Sequence, residues 1–130
     1  MDLKLKGKLA LVTGSTAGIG KGVAKLLLQE GAIVVINGRR LEPLQEAAGE
    51  LSAYGVCHMA CGDLSTPEGA QAVIDAVDAL GELDVFVGNM GAYKGTPFAE
   101  ISDSEWEWMM NTNLYSQIRM CRPFLPQMLR

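Results

Sequence analysis

The stretch that most constrains this chain is Thr13-Gly14-Ser15-Thr16-Ala17-Gly18-Ile19-Gly20, a glycine-rich turn between two regular segments. Lys8-Leu9-Ala10-Leu11-Val12 before it is short, apolar and β-tending, which suits a buried strand. Ile19, Val23, Leu26 and Leu27 follow at helical spacing, and Gly31 supplies a C-terminal stop. A strand that turns on glycines directly into a helix has the outline of a phosphate cradle. The helix start offers unpaired N–H groups and the positive end of its dipole, and glycine lets a pyrophosphate approach the backbone.

The rest of the chain alternates. Residues 32–37 read as a second buried strand and 41–53 as a helix with Leu41, Leu44, Ala47, Ala48 and Leu51 on one side. Pro43 falls in its first turn, where proline is tolerated. Residues 56–60 form a third strand. Ser65-Thr66-Pro67-Glu68 opens the next helix with two cap candidates, a proline and a capping-box glutamate. That helix carries Val73, Ile74, Val77 and Leu80 and stops at Gly81, and residues 83–87 form a fourth strand. A long helix starts at Ser102 with a box-like spacing to Glu105. It carries Trp106, Met109, Met110 and Asn113 along one side, and Pro123 and Pro126 are expected to kink or end it. Strict alternation with near-continuous apolar strands predicts an α/β fold, a doubly wound parallel sheet covered by helices on both faces.

With 130 residues, 48% hydrophobic and 20% charged, the chain has the composition of one folded domain and not of a disordered segment. A net charge of −4, with no basic stripe, argues against a nucleic-acid partner. No apolar run approaches the ~20 residues that span a bilayer, and Met1-Asp2-Leu3-Lys4 leads into no signal-like core, so no membrane partner and a cytoplasmic location are expected. Cys57, Cys61 and Cys121 lack metal-ligand spacing. His58, the one histidine, points away from Cys57 and Cys61 across the third strand, so the expectation is no metal and three buried, reduced thiols.

In open parallel sheets ligands bind beyond the carboxyl ends of the strands. The four exits are the glycine loop, Asn37-Gly38-Arg39-Arg40, Gly62-Asp63-Leu64 and Gly88-Asn89-Met90-Gly91. Any one of them alone is an ordinary tight turn; four together, spaced as one sheet requires, point to a bound dinucleotide. The second exit selects among dinucleotides. An NAD site usually places an acid there for the ribose 2′-hydroxyl, but Gly38 holds that place and Arg39 follows. A guanidinium suits a 2′-phosphate, so NADP is favoured over NAD, with Ser15 in the facing loop expected to add a further bond.

These residues resemble the short-chain dehydrogenase/reductase family along the whole chain. The spacing Gly14-x-x-x-Gly18-x-Gly20 after Thr13 is similar to that family's cofactor loop, which also takes in Ser15, Thr16 and Ile19. Asp63-Leu64 is similar to the family's contact to the adenine amine. Gly88-Asn89-Met90-Gly91 stands where the family has Asn-Asn-Ala-Gly, so Asn89 and Gly91 match while Gly88 and Met90 depart. Trp106 through Asn113-Leu114 resembles the long-helix signature whose asparagine belongs to the catalytic tetrad. The resemblance implies hydride transfer between NADP(H) and a small carbonyl or alcohol substrate, in generic form that of 3-oxoacyl-carrier-protein reductases, and a homo-oligomer built on the long helix.

The family's serine and Tyr-x-x-x-Lys pair follow a fifth strand. Four positions on from Tyr54, Tyr93 and Tyr115 stand His58, Pro97 and Arg119, none of them lysine. Residues 1–130 are therefore expected to be the N-terminal, cofactor-binding half of one Rossmann-like domain, truncated after the fourth strand and the long helix. Such a half carries Asn113 alone of the tetrad and is expected to be inactive and to self-associate. The competing expectations are a non-catalytic dinucleotide-binding or regulatory module, and a half that assembles with another chain.

Overall fold

The computed structural model describes residues 1–130. Strands β1 (Leu9–Val12), β2 (Ile33–Gly38), β3 (Cys57–Cys61) and β4 (Val85–Val87) form one parallel sheet in the order β3-β2-β1-β4. Helices α1 (Gly18–Gln29), α2 (Leu41–Leu51) and α3 (Pro67–Asp78) connect them. After β4 come a short 3₁₀ turn (Phe98–Glu100), helix α4 (Asp103–Met110), a π-helical turn (Asn111–Tyr115) and helix α5 (Ser116–Met128). None of the helices is long and apolar enough to cross a membrane.

Strand pleating explains the two layers. Leu9 and Leu11, with Val35 and Ala60, face α3 and α5, where Val73, Val77, Met120 and Phe124 complete one core. Ala10 and Val12, with Val34 and Ile36, face α1 and α2 and pack on Ala24, Leu28, Leu44 and Leu51. Both strand faces are thus apolar, the signature of a doubly wound sheet. Val12 pairs in register with Ile36 on one side and Val87 on the other, and Gly38 pairs with Cys61, so all four strands open on one rim. The strand order reverses between β1 and β4, which places the ligand-binding crevice of such sheets at their shared exit.

The expected elements are all present, with local differences. On α1 the buried stripe is Gly20, Ala24 and Leu28, while Ile19 and Leu26 are exposed. Small residues on the inner stripe let the helix lie close to the strands, and the larger ones are turned outward. Thr66 is the cap of α3: its hydroxyl accepts from the Gly69 N–H at 3.1 Å and Pro67 takes the first helical position. That helix ends at Asp78, leaving Leu80 exposed beyond it. Strand β4 is shorter than expected; Asp84, just ahead of it, holds to β1 through its N–H, which donates to the Leu9 carbonyl, and its carboxylate, which accepts from the Leu9 N–H, each at 2.9 Å.

Two expectations are corrected. Pro123 and Pro126 do not end the last helix; both lie inside α5, where Met120 and Phe124 anchor it on the sheet on either side of Pro123. The thiols are free but not uniformly buried: Cys57 is half-buried, and Cys61 and Cys121 are exposed. β3 is the outermost strand, so helices cover it incompletely, and Cys121 lies on the outer side of α5. Burial pushes the Cys57 thiol up from its ordinary pKa.

Candidate functional site at the carboxyl rim of the sheet

Three buried polar side chains tie the strand exits together. The Ser15 hydroxyl donates to the Val12 carbonyl at 2.7 Å and accepts from the Asn37 N–H at 2.9 Å. Asn37 Oδ1 accepts from the Gly14 N–H at 3.1 Å, and its Nδ2 donates to the carbonyls of Ala60 and Gly62 at 3.0 and 3.2 Å. Thr13 Oγ1 accepts from the N–H groups of Asn89 and Met90 at 3.0 and 3.2 Å. Asn89 Nδ2 returns to the Gly14 carbonyl at 3.1 Å. The exit of β1 is thereby bonded to those of β2 and β4, and Asn37 carries the network on to β3. No buried side-chain polar atom is left without a partner.

Ser15 and Asn37 were expected beside the cofactor. Their side chains instead hold the backbone that would receive it. Ser15 is fully buried and its hydroxyl is spent on Val12 and Asn37, so it has no reach toward a 2′-phosphate. Gly14 adopts φ +58°, a left-handed conformation that favours glycine. A Cβ on Gly20 would stand 2.6 Å from the Gly14 carbonyl oxygen, so only glycine lets α1 pass under the loop. The N-terminus of α1 has Ala17 at its cap, with no side-chain cap bond and no acid in the first turn. Its N–H groups are left for an anion, which is the donor set a pyrophosphate requires. Gly18 and the exposed Ile19 stand at that mouth.

Above the rim lies a cleft of about 320 Å³. Gly14 and Thr16 line it from the glycine loop, residues 37–39 from β2, residues 62–65 from β3, residues 90–92 from β4, and Trp108 and Thr112 from the long helix. Arg39 is exposed at this cleft and makes no ion pair; the two ion pairs of the chain are Lys21–Glu50 and Arg130–Glu82. A Cβ at Gly38 would lie 2.6 Å from Thr16 Cγ2, so a side chain at that position would require the Thr16 side chain to turn away. Asp63 Oδ1 accepts from the Ser65 N–H at 3.0 Å and from the Ser65 hydroxyl at 2.6 Å, which fixes the carboxylate in the cleft wall. Leu64 is buried behind it.

Asn113 lies in the π turn, where the Ser116 N–H reaches back five residues to the Asn111 carbonyl. Its Oδ1 accepts from the Ala92 N–H at 3.0 Å, and its Nδ2 donates to the carbonyls of Ala92 and Met109 at 2.8 and 2.9 Å. Asn113 therefore clasps the segment after β4 to the long helix. A Cβ at Gly91 would come within 3.0 Å of its Oδ1, so a side chain there would press on this clasp. At Gly88 the missing side chain is replaced from α5: Gln117 Oε1 occupies the space a Cβ would take, and Gln117 Nε2 donates to the Met90 carbonyl at 3.2 Å. The structure thus adds Ser65, Trp108, Thr112 and Gln117 to the site and gives Thr13, the first residue of the glycine loop, its bonds to Asn89 and Met90. Trp108, Thr112 and Gln117 enter only through the fold.

The profile of the short chain dehydrogenase family matches residues 8–130. The chain belongs to that family. An uncharacterized oxidoreductase, YvrD, of Bacillus subtilis (strain 168) is 47% identical over 129 residues, 99% of this chain and 49% of the relative. The chain thus spans about half the length of the curated relative it matches. Among solved structures, L-sorbose reductase from Gluconobacter frateurii, complexed with NADPH and L-sorbose, superposes with a TM-score of 0.93. It is 32% identical over 98% of this chain and 50% of that one. The NADH-dependent reductase A1-R′, complexed with NAD, superposes with a TM-score of 0.87 at 28% identity, covering 97% of this chain and 54% of that one. Solved structures similar to this chain therefore include one complexed with NADPH and one complexed with NAD.

Proposed function

We propose that these residues form the cofactor-binding half of an NADP(H)-dependent oxidoreductase acting on a small carbonyl or alcohol. The observation that carries the choice of cofactor is the end of β2. Gly38 offers no acid to a ribose hydroxyl, and the unpaired Arg39 guanidinium stands beside it at the cleft. Paired donors on a planar cation suit a phosphate on the ribose, whereas a 2′-hydroxyl would ask for the missing acid. The N–H groups at the start of α1 would hold the pyrophosphate, and Asp63 would accept from the adenine amine. When bound, the nicotinamide ring supplies or accepts a hydride.

Asn113 serves the reaction by clasping the π turn to Ala92, which holds the rim beside the cleft. No Tyr-x-x-x-Lys pair lies within residues 1–130, so the general acid of the family is not available to them and they bind without turning over. A fluorescence titration of the purified chain with NADPH tests this: saturable binding is expected, with no NADPH oxidation on adding carbonyl compounds. Failure to bind NADPH would overturn the reading.

A second reading, a half that assembles with a further strand, is favoured by β4. It pairs only with β1, at the edge of the sheet, and Val85, Phe86 and Val87 are each only half-buried. An apolar, unpaired edge invites another strand. Native mass spectrometry separates a self-associated chain from a hetero-complex.

A further inference from the structure

We propose that Arg119 is a positioning residue that locks two walls of the cleft, the β3 exit and the π turn, to each other. β3 and β4 stand at opposite edges of the sheet, so no strand pairing connects the loop after β3 to the segment that follows β4. Arg119 makes that connection at the rim. Its Nη1 donates to the carbonyls of Leu64 and Ser65 at 3.3 and 3.0 Å, and its Nη2 donates to Asn111 Oδ1 at 3.2 Å. Asn111 is fixed in turn, its Nδ2 donating to the Glu107 carbonyl at 3.0 Å.

Two of the contacted residues line the cleft, and the third adjoins a lining residue. Leu64 and Ser65 line the cleft directly, and Asn111 precedes Thr112, which lines it from the other side. One residue further on is Asn113, the clasp of Ala92. The guanidinium is half-buried and has no carboxylate partner; all three of its acceptors are neutral oxygens. A planar fork spreads fixed donors over two terminal nitrogens and so reaches both walls at once, whereas lysine offers its donors from one nitrogen. A shift of the β3 exit on filling the cleft is thus passed to the turn that carries Asn113. The Tyr115-x-x-x-Arg119 spacing, which imitates a catalytic pair in letters, has this structural use instead.

The inference rests on the cofactor reading above only where ligand is added. Native-state hydrogen exchange on Arg119→Met, Arg119→Lys and Asn111→Ala chains, with and without NADPH, tests it. Without ligand, Arg119→Met should speed exchange about tenfold both at the Ser65 and Thr66 amides and at residues 112–116, because charge-assisted bonds to each wall are lost. Arg119→Lys should speed exchange in at least one of the two segments, and Asn111→Ala only at residues 112–116. With NADPH, protection in the parent should extend from residues 62–66 into the π turn, and in Asn111→Ala it should stop at the β3 exit. Faster exchange confined to α5, uniform loss across the chain, or one NADPH footprint in all four proteins would overturn the proposal. If the parent binds no NADPH, the cofactor reading falls and the ligand-free pattern alone decides the role of Arg119. If Arg119→Met fails to fold, the Arg119→Lys and Asn111→Ala patterns decide it.

Discussion

Where β1, β2 and β3 end, Thr13, Ser15 and Asn37 are buried and bond to neighbouring exits. Where β4 and the long helix meet solvent, apolar side chains stand uncovered: Leu114, Ile118 and Leu125 are 45%, 45% and 51% exposed. The first region completes itself, because each polar group that folding buries is matched within these residues. The second does not, because its apolar groups have no neighbour. The geometry of the rim is therefore set within these residues, whereas β4 and α5 leave apolar surface uncovered.

The bonded rim is most vulnerable at Asn37. Asn37→Leu removes three side-chain hydrogen bonds and leaves the Gly14 N–H without its acceptor, which should cost about 3 kcal/mol. The midpoint of urea denaturation reads that loss. Gly20→Ala places a methyl against the Gly14 carbonyl, and overpacking of this kind costs about 2 kcal/mol. It should also weaken NADPH binding about tenfold, as seen by fluorescence titration, because the loop must shift.

On the other side, Ile118→Lys with Leu125→Lys should leave NADPH affinity unchanged and move the chain toward monomer in sedimentation at matched concentration. Unchanged association would detach the exposed face from self-assembly. The smallest expected effect is chemical. At mildly alkaline pH, alkylation of Cys57 should lag that of Cys61 and Cys121. Cys57 is the half-buried thiol, and desolvation raises its pKa, so it holds less thiolate at a given pH. Mass mapping of the labelled sites checks it.

Much of the rim was legible in the sequence because glycine, proline and cap residues act locally. The glycine loop, the Thr66-Pro67 helix start and the four exits all lie where their local chemistry places them. Long-range pairings were not legible. Ser15 reads as a free hydroxyl until the fold brings Asn37 against it, and Gln117 reads as a helix-surface residue until Gly88 leaves room for it. The π turn adds one residue to a helical turn without altering the apolar pattern, so periodicity does not reveal it. Cys61 reads as buried from its strand alone, and only the strand order, with β3 outermost, exposes it.

The proposed function turns on selection of a 2′-phosphate at the end of β2. Parallel titrations of the parent and Arg39→Ala with NADPH and NADH test it most directly. NADPH should bind the parent about tenfold more tightly than NADH, the worth of a charge-assisted contact, and Arg39→Ala should make the two affinities equal. Equal affinities in the parent, or a preference that survives the substitution, would contradict the account.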